Sequence, residues 1–218
     1  MSGRPGFSGA VTRYGAELVI VFVGVYAAFW VDNYRDQKRD AERTVQIVQT
    51  LHEDLLDFVA TSRIFDERIV SGLDGWEAAR VNGERPPPYV LRVDRSETPP
   101  ISVWQAVSQS SLVELLEPSL LFDLGFFYSE VEGVGVKFVR YSEFTDEFVL
   151  PGLKRGADWF YDDSTGDLKP EFAAHMDRLR EYQGDMRVLA GWAECLIERL
   201  EAPQMESRSC RPTAGGLR

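Results

Sequence analysis

Apolar positions in this chain form one unbroken block and then two long seams that step by threes and fours. The block is 18–31, where every residue is apolar, aromatic or glycine and none is charged. Alone it is shorter than the ~20 residues a bilayer crossing needs. Tyr14, Gly15 and Ala16 add a turn before it, and Asn33 and Tyr34 suit headgroup level after it. As a helix, residues 14–34 span roughly 30 Å at ~1.5 Å per residue. The pattern predicts a single transmembrane helix over 14–34, preceded by a tail, 1–13.

The first seam is Val48, Leu51, Leu55, Phe58, Phe65, Ile69, Leu73 and Trp76, with Ser62 in the one missing place. Such spacing lines one face of a helix. No proline interrupts 32–79, so the membrane helix is expected to continue into it, with Gly72 and Gly75 weakening or breaking its last turns. Residues 82–100 carry Asn-Gly, Pro86-Pro87-Pro88 and Pro99-Pro100 and read as a connector. It is longer than bundles need, so it is expected to lie over the surface or to meet a partner. Further helices are predicted over 103–116, over 120–131 with Ser119 as N-cap, and over 137–150. Gly133 and Gly135 should break or kink the chain between the last two. The second seam is Phe172, Met176, Leu179, Tyr182, Met186, Leu189, Trp192, Leu196 and Leu200, opened by Pro170 at the first helical position. Residues 202–218 read as a flexible tail. The fold class expected is all-α: an N-terminal transmembrane helix continuing into an extramembrane up-and-down helical bundle over 35–201.

Charge narrows the partners. The 218 residues carry a net charge of −11. That excludes nucleic acid, which selects basic faces, and a polybasic grip on anionic lipid. About 180 residues follow the apolar block, enough for one domain with a core. Arginine far outnumbers lysine, a bias of GC-rich bacterial coding sequences. The block ends in Phe29-Trp30-Val31-Asp32 without the small residues of a signal-peptidase site, which predicts an uncleaved anchor. Counting only Lys and Arg favours a cytoplasmic C-side, but Asp32, Asp36, Asp40 and Glu42 are interleaved with Arg35, Lys38, Arg39 and Arg43. A short basic tail also inserts readily with its N-terminus inside. The orientation expected is therefore N-terminus cytoplasmic and large domain periplasmic, in a bacterial inner membrane.

Glu17-Leu-Val-x-Val-x-x-Gly24-Val-x-x-Ala28-x-x-Val-Asp32-Asn33-Tyr34 resembles a family of uncharacterised bacterial single-pass membrane proteins. Their N-terminal segment reads G-E-I-x-L-V-x-x-G-I-x-I-A-x-x-I-N-N-W and leads into a helical domain. The likeness covers the first forty residues best, with a weaker echo over 103–112. The chain departs at Asp32 and Tyr34, where relatives carry Asn and Trp, and Ala16 intervenes between Gly15 and Glu17. The resemblance implies the topology and a helical domain, and no activity.

Candidate chemistry is sparse. Asp162-Asp-Ser-Thr-Gly166-Asp is oxygen-rich, but its glycine falls in the wrong register for a calcium loop, so a solvated turn is expected. Glu171 and His175 are spaced by four, not the three of a di-iron bundle, and read as a surface pair. Ser110, Ser111 and Ser119 lack a nucleophile elbow, and no phosphate-cradling glycine loop occurs. Scattered at His52, His175, Cys195 and Cys210, two histidines and two cysteines make no standard zinc site. The two cysteines can form one disulfide or remain two thiols. No catalytic residue, cofactor, metal or small-molecule substrate is therefore expected. Three features point instead to interaction. Gly24 and Ala28 form a small-x-x-x-small pair for close helix packing. Glu17 lies a turn inside the membrane segment, either snorkelling to the interface or pairing with a partner's basic group. Phe126, Phe127, Tyr128 and Tyr141 form a candidate aromatic patch. The function expected is a non-enzymatic accessory or stabilising subunit of a larger membrane assembly, respiratory or photosynthetic complexes being candidates. Its partners would be the lipid bilayer and other integral membrane subunits. A membrane-anchored sensor or ligand-binding module is the alternative.

Overall fold

The computed structural model describes the backbone of residues 7–92, 102–109, 116–202 and 210–212, and side chains from Phe22 onward apart from Ser102. The described residues are almost entirely helical. Helix α1 is Phe7–Val81, α2 is Ser102–Ser108, α3 is Pro118–Phe144, α4 is Leu150–Leu153 and α5 is Pro170–Glu201. The chain divides into two compact units, Met1–Gln46 and Ile47–Arg218.

Within the first unit, the described side chains of α1 are exposed almost throughout. After Tyr34 they are mostly charged, and neighbours one turn apart pair up: Arg39 with Asp36, Lys38 with Glu42, Arg43 with Asp40. Such exposed pairs support a helix by a few tenths of a kcal/mol each.

The second unit is a three-helix core of α1 from Ile47, α3 and α5. On α1 Leu51, Leu55, Phe58, Phe65, Ile69 and Leu73 of the predicted seam are buried; its two ends, Val48 and Trp76, are half-buried, and Ile47 is buried beside Val48. Burying each such side chain is worth about 1.5–3 kcal/mol. Ser62 is buried in the same seam because its hydroxyl donates to the Phe58 carbonyl at 2.7 Å, so no polar atom is stranded. The whole predicted seam of α5, from Phe172 to Leu200, is buried as well. Phe58, Phe127 and Trp192 bring the three helices together in edge-to-face contacts at 5.3 and 5.8 Å.

Helix directions follow from pairs between elements. Along α1, His52, Arg63, Asp66 and Glu77 meet Glu201, Glu194, Arg187 and Arg180 of α5 in descending order. Along α3, Asp123, Lys137 and Thr145 meet Arg199, Asp185 and His175, again descending. Both helices thus run antiparallel to α5 and parallel to each other. The chain returns between α1 and α3, so the directions alternate along the sequence. Two parallel neighbours need a return crossing, and the chain must make it between Val81 and Pro118. Leu91 N–H donates to the Tyr141 hydroxyl at 2.9 Å, and Trp104 of α2 stacks on Tyr128 at 5.2 Å, so the connector runs back along α3.

Local corrections have local causes. Gly72 and Gly75 do not break α1. Gly72 is where the connector crosses: a Cβ there would stand 2.0 Å from the Tyr89 ring, and the Tyr89 hydroxyl donates to the Arg68 carbonyl. α1 ends instead at Gly83, whose φ of 82° and N–H bond to the Arg80 carbonyl, with the Glu84 N–H on Ala79, make a left-handed cap. Pro118, not Leu120, opens α3, so Ser119 lies inside the first turn. α3 runs through Gly133 and Gly135 unbroken, because the buried Val131, Val134 and Tyr141 around them outweigh the ~1 kcal/mol that each glycine costs a helix. A π-turn, Thr145–Val149, then leads into α4, which carries Pro151 in its first turn. Pro151 brings no N–H to the helical ladder, and widening the preceding turn accommodates it.

Candidate functional site

The predicted membrane segment is helical in backbone throughout 14–34. Phe22, Val23, Val25, Tyr26, Phe29, Trp30, Val31 and Tyr34 are all exposed. At 100° per residue these side chains cover about two thirds of the circumference, and the remaining sector carries Gly24, Ala28 and Asp32. Trp30 and Tyr34 stack at 6.4 Å, one turn apart. Among the described residues no helix is long and apolar enough to cross a membrane. Glu17, within α1, lies outside the described side chains. A Cβ at Gly24 would meet nothing within 4 Å, and Ala28 is exposed.

The aromatic patch is redrawn by the bundle. Phe127, Tyr128 and Tyr141 are buried, so these three are not surface residues. They lie on the inward face of α3, and only Phe126 of the four turns outward. The aromatic rings that α3 does expose near its start are Phe122 and Phe126. Over the Phe126 ring sits the Arg211 guanidinium, 3.8 Å from its centroid.

Arg211 is held there by a cluster at the end of the bundle. Asp123, buried on α3, accepts from Arg199 of α5 at 2.6 Å, from Arg211 at 3.2 Å and from the Cys210 backbone N–H at 3.4 Å. Arg199 also reaches Glu117 and Ser119. Cys210 is itself covalently bound to Cys195 of α5, with Cα atoms 5.6 Å apart.

A second buried polar group sits at the opposite end. His175 is fully buried, which corrects the surface pair expected with Glu171. Its ring stacks on Tyr141 at 4.3 Å and on Phe144 at 4.9 Å. Nε2 faces the Thr145 hydroxyl at 3.1 Å, and that hydroxyl also bonds the Tyr141 carbonyl. Nδ1 has no hydrogen-bond partner among the described residues. Burial, helped by nearby Arg178, pulls the His175 pKa down to about 4, so the ring is neutral near pH 7. The sequence signal was present: His175 is three residues after Phe172, on the buried seam.

Between these ends, the Tyr128 hydroxyl donates to Asp54 at 2.5 Å. Burial raises the Asp54 carboxyl above its usual range, against the Tyr128 bond, and Asp57 adds to the rise. Asp162 closes its turn by accepting from the Ser164 and Thr165 N–H groups, as a solvated turn should. An open groove of about 660 Å³ lies between Ile64, Glu67 and Ser71 on α1 and Tyr89, Leu91 and Arg92 of the connector. Among the described residues no group of three or more His, Cys, Asp or Glu could hold a metal ion. Ser110 and Ser111 lie outside the described residues.

Comparison with protein families, with curated proteins and with solved structures finds no match for this chain.

Proposed function

We propose that this chain is a single-pass membrane protein whose helical unit serves, without catalysis, as an accessory or stabilising subunit of a larger bacterial membrane assembly. The observation that carries the reading is the exposed stretch of α1 from Phe22 to Val31, in which every residue is apolar, aromatic or glycine. A helix apolar all round belongs in a core or in lipid. The described window is too short alone; with Tyr14 to Val21, also helical in backbone, the stretch reaches bilayer length. The aromatic pair Trp30 and Tyr34 suits the membrane–water interface, and the self-paired charges after it suit water. The resemblance of the first forty residues to single-pass bacterial membrane proteins agrees. A disulfide suits an oxidising compartment, which favours the large unit on the periplasmic side. The bilayer contact and the bundle contact on one chain would raise each other's effective concentration.

Gentle detergent extraction followed by native separation tests the assembly. Comigration with a larger membrane complex is the expected result, and a lone monomer would overturn it. Orientation is tested by Ser164→Cys at the exposed turn, using a membrane-impermeant thiol reagent on spheroplasts. Labelling before lysis is expected; protection until lysis would place the large unit in the cytoplasm.

A further inference from the structure

We propose that the Cys195–Cys210 disulfide is a redox latch that holds residues 210–212 across the first turns of α3. Closed, it places Arg211 over Phe126 and adds two donors to the buried Asp123 carboxylate. The segment is held at its start by one covalent bond; Cys210 also packs on the core, and the Cys210 N–H and the Arg211 guanidinium bond Asp123. Arg199 makes the shorter bond to Asp123 from within α5 and stays when the segment leaves. Opening therefore does not strand a buried carboxylate without a cation. It uncovers Phe126, which with Phe122 forms the exposed aromatic face at the start of α3. This inference does not depend on the membrane anchor.

The chemistry is thiol–disulfide exchange with a dithiol reductant. Cys195 is the more accessible sulfur residue, half-buried where Cys210 is buried. A thiolate of the dithiol attacks Cys195 Sγ, the S–S bond breaks, and Cys210 Sγ leaves with the electron pair and takes a proton. The second thiolate of the reductant then attacks the mixed disulfide, closes its own ring and releases Cys195. Two electrons and two protons pass from the dithiol to the protein, leaving two thiols here and one disulfide on the reductant.

Hydrogen exchange on the full chain in detergent, with and without dithiothreitol, tests the latch. Loss of the two donors on Asp123 should speed exchange over 119–126 about tenfold. Residues 51–69 should stay protected, and reoxidation should restore the slow rate. Arg211→Ala, with the disulfide intact, should show part of the same acceleration. Full reduction, verified by thiol titration, with no change over 119–126 would overturn the proposal. So would equal acceleration over 51–69, which would make the disulfide a staple of the whole unit. Because the reagent acts on folded wild-type protein, no cysteine variant has to fold for the test to be read.

Discussion

His175 makes stability of the helical unit depend on pH in a way that can be calculated. In the unfolded chain its pKa is the ordinary 6.5, and in the fold it is about 4. Between those values the unfolded chain binds a proton that the folded chain refuses. Stability therefore rises with pH across this window: it is fully present above about 6.5 and is lost as pH falls toward 4. A difference of about 2.5 units at about 1.36 kcal/mol each amounts to about 3 kcal/mol. The cause is geometric. A protonated ring would place a charge between Tyr141 and Phe144 with an N–H at Nδ1 that meets no acceptor among the described residues. Urea unfolding of the full chain in detergent, followed by near-ultraviolet circular dichroism, should be run from pH 4 to 7.5 beside His175→Gln. The wild-type minus variant stability should change by about 3 kcal/mol over the window, in favour of the wild type at high pH. His52 and all the carboxylates are common to both proteins and drop out of the difference. Parallel curves would refute the reasoning and mean that His175 titrates alike in both states.

Three further outcomes are expected. Leu55→Ala, at a fully buried seam position, should cost about 2–5 kcal/mol, whereas exposed Glu53→Ala should stay within about 0.5 kcal/mol; equal mildness in denaturant titration would mean the seam is not packed. Gly72→Ala should cost about 1–3 kcal/mol by pushing Tyr89 off α1, and combining it with Tyr89→Ala should cost less than the sum; strict additivity in the cycle would remove the contact. Gly24→Leu should reduce co-purification with partner subunits while leaving the melting temperature of the second unit unchanged, since among the described residues nothing stands within 4 Å of a Cβ at Gly24; undiminished co-purification would take Gly24 out of any helix contact.

Periodicity by itself determined the long helices α1 and α5 and their inward faces. The α1 and α5 seams were legible because burial needs an apolar residue every three or four positions, and that demand is local. Even Ser62 was readable as a seam position, since a serine can return its hydroxyl to its own helix. The exposed apolar run of α1 was legible for the same reason. What the helices do to one another was not. Only tertiary structure made α1 and α3 parallel, turned Phe127, Tyr128 and Tyr141 inward while leaving Phe126 out, and set Gly72 beneath Tyr89. It alone brought Asp123 to Arg199 and joined Cys195 to Cys210. Each of these depends on which distant element arrives at a given face. Spacing along one helix carries no term for that: it ranks faces by hydrophobicity, while the partner of a face is chosen by packing across the whole unit.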